Sequence, residues 1–163
     1  MIEEHVWARG VKVLHQGMAS SLHCSIASVN EDGTPHVTPI GSLLVTGPST
    51  GVYFDVFASH LSRNVDRDPN VTILAVNSSS WFWLKMFVRG RFIEYPGVRL
   101  IGTIGPRRES TQRERERFER RVRLLRRLRG YDALWNDVGH VRDIEFAALN
   151  YVRIGRATRH LAG

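Results

Sequence analysis

The chain has 163 residues and a mass of 18.6 kDa, with 42% hydrophobic and 24% charged residues, the composition of one soluble globular domain. One cysteine, Cys24, excludes an internal disulfide or a cysteine-rich zinc site, no apolar run nears the ~20 residues of a membrane helix, and the acidic start MIEEH is no signal peptide, so a cytoplasmic protein without a membrane partner is expected. The net charge of +7 lies entirely in residues 107–129, which hold eleven Arg and four Glu, while the flanking stretches are neutral.

Residues 3–16 space Val6, Trp7, Val11 and Leu14 as a helix would, and Gly17 follows as its expected stop. LHCSIASV alternates as a strand, Asn30–Pro35 with Asp32-Gly33 reads as a hairpin turn, and 36–46 reads as the returning strand, with Pro39 marking a bulge or an edge. GVYFDVFA (51–58) is a third strand, completing a meander. Ser59 is placed to cap a short helix, HLSRNVDRD, which Pro69 ends. VTILAV (71–76) reads as a buried strand, 79–89 as a short helix and 98–108 as another strand. Thr111 and Glu114 form a capping box for a helix running to Arg129, with Phe118, Val122, Leu125 and Leu128 on one face and Gly130 as its stop. A helical turn is expected near 132–137, then a last strand over 141–157 with a bend or bulge near Leu149–Asn150. The fold class is therefore mainly β with helices: a single antiparallel barrel domain of about six strands. Residues 1–17 form its N-terminal helix, 18–108 its barrel core and 111–129 a long Arg-rich helix near the C-terminus.

Four segments in this order resemble the pyridoxamine 5′-phosphate oxidase-like superfamily of split β-barrel flavoproteins. They are LHCSIASV, EDGTPHVTPI, YFDVFASHLSRNVDRDPNVTILAV and VRLIGTIGPRR. The resemblance spans about residues 18–125 and implies a homodimer with cofactor grooves between subunits. It implies FMN first, the deazaflavin coenzyme F-420 second, and haem in some branches. The true oxidase is longer and ends in an Arg- and Trp-bearing segment that grips its substrate, whereas this chain ends YVRIGRATRHLAG.

Ser59, His60, Ser62, Arg63 and Asn64 sit at a helix N-terminus, where free N–H groups, hydroxyls and a guanidinium suit a phosphate. Equally, Ser59 can serve only as a cap and Arg63 as a solvated residue. His36, Val37, Thr38 and Pro39 match the family segment that lies along the flavin ring; a plain barrel-wall strand is the competing reading. His36 and His60 could each serve as a haem ligand or a general acid. No residue is assigned as catalytic and no metal site is indicated.

The apolar stretch WFWLKMFV must be buried in the core or at an interface. In the basic helix, Glu116–Arg120 and Glu119–Arg123 stand at i, i+4, as a solvated face would have them, and no aromatics interleave with the arginines on the exposed face, which argues against a single-strand stacking platform; a nucleic-acid partner is not expected. The expected activity is a flavin-dependent oxidoreductase acting on a small-molecule substrate. The alternatives are a non-catalytic haem-binding protein of the same fold and a nucleic-acid-binding module built on the basic helix.

Overall fold

The computed structural model describes residues 2–56, 59–123 and 139–162. In chain order these form α1 (Glu4–Ser21), β1 (Cys24–Val29), β2 (Pro35–Ile40), β3 (Leu44–Gly47), β4 (Thr50–Phe54), α2 (Ser59–Arg67), β5 (Asn70–Val76), α3 (Ser80–Arg89), β6 (Gly97–Glu109), α4 (Gln112–Val122), β7 (His140–Tyr151), α5 (Gly155–Thr158) and a 3-10 turn (Arg159–Leu161).

The seven strands make one antiparallel sheet in the order β2-β1-β5-β6-β7-β4-β3. Its two edge strands, β2 and β3, are joined by residues 41–43 alone. Seven flat strands at ~4.8 Å spacing would hold those edges about 29 Å apart, whereas the four-residue step from Ile40 to Leu44 reaches at most ~14 Å. The sheet must therefore curl until its edges approach, giving a barrel closed by the chain, with no ladder joining β2 to β3 among the described residues.

This is why the strand expected over 36–46 is two strands, and why seven strands stand where about six were expected. At the crossing, Ser42 Oγ takes the place of a ladder: it accepts from the Phe54 N–H (3.2 Å) and donates to the Phe54 carbonyl (3.1 Å). Pro39 lies on an edge strand, where its missing N–H disrupts nothing.

The barrel interior and α1 share one apolar cluster, which includes Trp7, Leu14, Met18, Ile26, Ile73, Leu100 and Ile144. A second lies outside the barrel, where Phe118 and Val122 of α4 cover Leu44, Val52, Phe54 and Val141. β4 is thus buried on both faces, which accounts for its unbroken apolar run.

Three expectations are corrected. Gly17 does not stop α1; the helix runs four residues further and ends at Leu22 in the left-handed conformation. A Cβ on Gly17 would sit 3.1 Å from both Ala75 Cβ and Val76 N, so this glycine lets the helix lie close on β5. The last strand ends at Tyr151, because β6 supplies its final partner with the Val152 N–H to Gly97 carbonyl bond; Gly155, at φ 45°, then turns the chain into α5. The bulge expected near Leu149–Asn150 of β7 is present but falls two residues earlier, at Ala147, between the pairs Ile101–Ala148 and Gly102–Phe146.

The capping box of α4 is present, with the Glu114 N–H on Thr111 Oγ1 and the Thr111 N–H on Glu114 Oε2. The expected end of that helix at Arg129, the turn near 132–137 and residues 57–58 of the third strand lie outside the described residues.

Candidate functional site

The first turn of α2 opens on a cavity of about 450 Å³ lined by Asp55, Val56, Ser59, Ser62, Arg63, Asp66, Arg107 and Arg142. The barrel brings these residues together. Tyr53 of β4, Arg142 of β7 and Arg107 of β6 stand side by side across three neighbouring strands, and Asp55 follows just beyond β4.

Arg142, only 2% exposed, organises the floor. Its Nε donates to Asp55 Oδ2 at 2.8 Å and its Nη1 to Asp66 Oδ1 at 2.7 Å. Asp55 also accepts from Ser62 Oγ at 2.6 Å and lies 3.7 Å from Arg107 Nε. Burial works against the charge on Arg142, but the hydrogen bonds to Asp66 and Asp55 outweigh it and hold the guanidinium protonated. The Arg142 hydrogen bond in turn holds the Asp66 carboxyl below its usual range.

With Arg142 matched by two carboxylates, Arg63 and Arg107 leave the lining one positive charge in excess, beside the N-terminal turn of a nine-residue helix. That combination suits a phosphate dianion, which charge-assisted bonds and helix N–H groups stabilise. Two buried polar atoms at this end of the barrel, Tyr53 Oη and His140 Nδ1, have no hydrogen-bond partner among the described residues. Burial, and after it the nearby Asp55 carboxylate, pushes the Tyr53 hydroxyl pKa up, so it stays a neutral donor.

The predicted residues divide into three groups. Ser59, Ser62 and Arg63 line the cavity, although the Ser62 hydroxyl proton is already committed to Asp55. Ser59 is the first helical residue of α2 rather than a residue ahead of it. His60 lies outside the cavity lining and stacks on His36 of β2, ring centroids 5.6 Å apart, so the two predicted segments meet. His36 Nε2 also meets Thr38 Oγ1 at 3.0 Å, while Val37 (60% exposed) and Pro39 occupy the alternate, open positions of β2. Asn64 turns away: it is buried, and its Nδ2 donates to Ser28 Oγ and Asn30 Oδ1, pinning α2 to β1 and the hairpin turn.

Sequence reasoning missed Asp55, Asp66, Arg107 and Arg142. Arg142 left one signal. It shares the parity of the buried Ile144 and Phe146 in β7, and an Arg in an inward slot needs carboxylates to meet it. Arg107 was hidden in the basic run.

Among the described residues, several other arginines of that run are tied into the fold. Arg108 bridges Asp143 and Glu114, and Arg117 and Arg121 donate to the carbonyls of Val45 and Leu43 at the open edge of the sheet. Glu116 accepts from Gln112, and Arg120 reaches the Glu116 backbone carbonyl in place of its carboxylate. WFWLKMFV is not core. No residue of α3 is buried, and Trp81, Leu84, Phe87 and Val88 stay exposed while Phe82 and Trp83 pack on Phe92. No helix among the described residues is long and apolar enough to cross a membrane.

Residues 12–145 match the family model for pyridoxamine 5′-phosphate oxidase. No curated protein matches the chain in sequence. Among solved structures, the chain is similar to an FMN-binding protein from Syntrophomonas wolfei (TM-score 0.64, 11% identity, covering 93% of this chain and 89% of the other). It is also similar to HupZ of Group A Streptococcus (0.55, 16%, 95% and 97%) and to an F420 reductase (0.55, 14%, 85% and 94%). At these identities the likeness is one of fold.

Proposed function

The chain belongs to the pyridoxamine 5′-phosphate oxidase family, and on that footing we propose that it binds a flavin-type cofactor, FMN first and the deazaflavin F-420 second, and works as a flavin-dependent oxidoreductase on a small-molecule substrate. The observation that carries this reading is the cavity at the α2 N-terminus, where Arg63 and Arg107 keep positive charge in excess beside the strand that the family places along the ring.

In this reading Arg63, Arg107, Ser59 and the first N–H groups of α2 hold the phosphate. Asp55 and Asp66 keep Arg142 fixed and charged behind them, so the cationic wall does not reorganise when the ligand enters. Residues 36–39 flank the ring, with the open positions Val37 and Pro39 offering apolar contact and the strand backbone offering donors and acceptors to its polar edge. A bound flavin would supply the hydride chemistry; the protein's part is to hold and orient it. The working unit is a homodimer in which a second copy covers the exposed side chains of α3.

The test is the absorbance spectrum of the purified protein, followed by titration of the colourless protein with FMN and with F-420. Saturable binding of either, weakened by Arg107→Ala, supports the reading. A Soret band that disappears in the His36→Ala or His60→Ala variant replaces it with haem binding, and failure of all three ligands to bind removes it. Sedimentation at micromolar concentration is expected to give twice the chain mass, and a monomer would refute the dimer.

A further inference from the structure

A second site lies where α1, β3 and α4 meet. A cavity of about 540 Å³ is lined by His15, Met18 and Leu22 of α1 and its cap, Leu44 and Val45 of β3, and Arg117 and Arg121 of α4. It meets a wider groove of about 1290 Å³ at His15, Val45 and Arg117, and that groove runs past Val11 and Trp7 toward the N-terminus of α1. The cavity lies within the range of small-molecule sites.

Its charge is one-sided. Arg117 and Arg121 stand one helical turn apart, and among the described residues neither meets a carboxylate. Arg117 spends one donor on the Val45 carbonyl; Arg121 spends one on Leu43 and one weak contact on Met18 Sδ. Each guanidinium has five N–H donors, so most remain open. Among the described residues, the smaller cavity has no acid in its lining; Glu3 and Glu4 border only the far part of the wider groove. Partial burial and the charges of Arg121 and Arg117 lower the pKa of His15, as an uncompensated positive potential would. The floor is apolar: Met18, Leu44 and Val122 are buried beneath it, and Leu22 stands exposed at the rim.

We propose that this groove binds an amphipathic monocarboxylate, its head held by Arg117, Arg121 and His15 and its hydrocarbon body laid over Met18, Leu44 and Val45. An apolar ligand alone would leave the cations unmatched, and a small anion alone would leave the apolar floor wet; a carboxylate with a tail answers both. The site is separate from the cavity at α2 and does not depend on what binds there.

Calorimetric titration with decanoate, 1-decanol and acetate tests this on the full chain. Decanoate is expected to bind at least tenfold more tightly than 1-decanol, and acetate not measurably. Arg117→Gln and Arg121→Gln each retain a donor for the edge carbonyl and are expected to weaken decanoate binding about fivefold or more at an unchanged melting temperature. Leu22→Glu, which touches no structural bond of either arginine, is expected to weaken it as well. Arg63→Ala is expected to leave it unchanged. Equal affinity for decanoate and decanol, indifference to the two Gln variants and to Leu22→Glu, or loss of binding in Arg63→Ala would each overturn the proposal.

Discussion

Two arginine clusters stand in contrast. In sequence the basic run over 107–129 dominates, yet the cavity at α2 draws only Arg107 from it. Arg63 comes from α2 and Arg142 from the last strand. Arginines of the run tie α4 to the sheet: Arg108 to Asp143 and Glu114, Arg117 and Arg121 to edge carbonyls. Charge density along the chain therefore does not locate the cavity at α2, whose arginines come from three separate elements. What matters is whether a guanidinium's donors are already committed and what backs it.

The largest test of that contrast is Arg142→Ala. It leaves Asp55 buried without its main partner and is expected to cost about 3–5 kcal/mol in urea unfolding. The double change Arg142→Met with Asp55→Asn should recover much of the loss, since it removes both charges. A cost under ~1 kcal/mol for Arg142→Ala would show that the pair is not structural.

Next comes Arg63→Ala, which is expected to weaken FMN or F-420 binding by about 1.5–3 kcal/mol, the worth of hydrogen bonds to a charged group, with apo stability unchanged. Arg120→Ala, on the exposed face of α4, should change neither; equal effects of the two variants in a fluorescence titration would erase the distinction between the clusters.

The α4 side has its own pH signature. The Arg108 hydrogen bond holds the Glu114 carboxyl down to about 2, from an ordinary value of 4.5. The folded state therefore favours the carboxylate, and this contribution is complete above about pH 4.5 and fades as pH falls toward 2. Thermal melts between pH 6 and 2.5 should show Glu114→Gln with a flatter acid limb than the parent chain. At the small end, Thr111→Ala removes the cap oxygen and is expected to cost ~1 kcal/mol.

Local features were legible in the sequence because local chemistry sets them. Asp32-Gly33 makes its turn with Gly33 at φ 82°, Thr111 and Glu114 cap α4, and the α2 N-terminus gathers Ser59, Ser62 and Arg63. What escaped rests on distant partners. Gly17 reads as a helix stop until Ala75 is known to press against it. The return strand looks continuous until its second half is seen to pair with β4, and Asn64 reads as a ligand residue until Ser28 and Asn30 claim its amide. Asp55 and Arg142 are 87 positions apart, and no pattern along the chain joins them.

The sheet order carries a consequence for assembly. β7 lies between β6 and β4, so before it docks the sheet is two unjoined pieces, β2-β1-β5-β6 and the β3-β4 hairpin. Synthesis delivers β7 after both, and Phe54 must wait for Val141 to pair with it. Until then β4 and β6 each present an unsatisfied edge to solvent, the condition in which chains pair with the wrong neighbour. Arg142 arrives on the same strand, so the joining of the two pieces and the locking of Asp55 and Asp66 are one event. A chain stopped short of residue 140 would have neither a closed barrel nor an organised cavity, and in the full chain the slow step in refolding would be this long-range insertion.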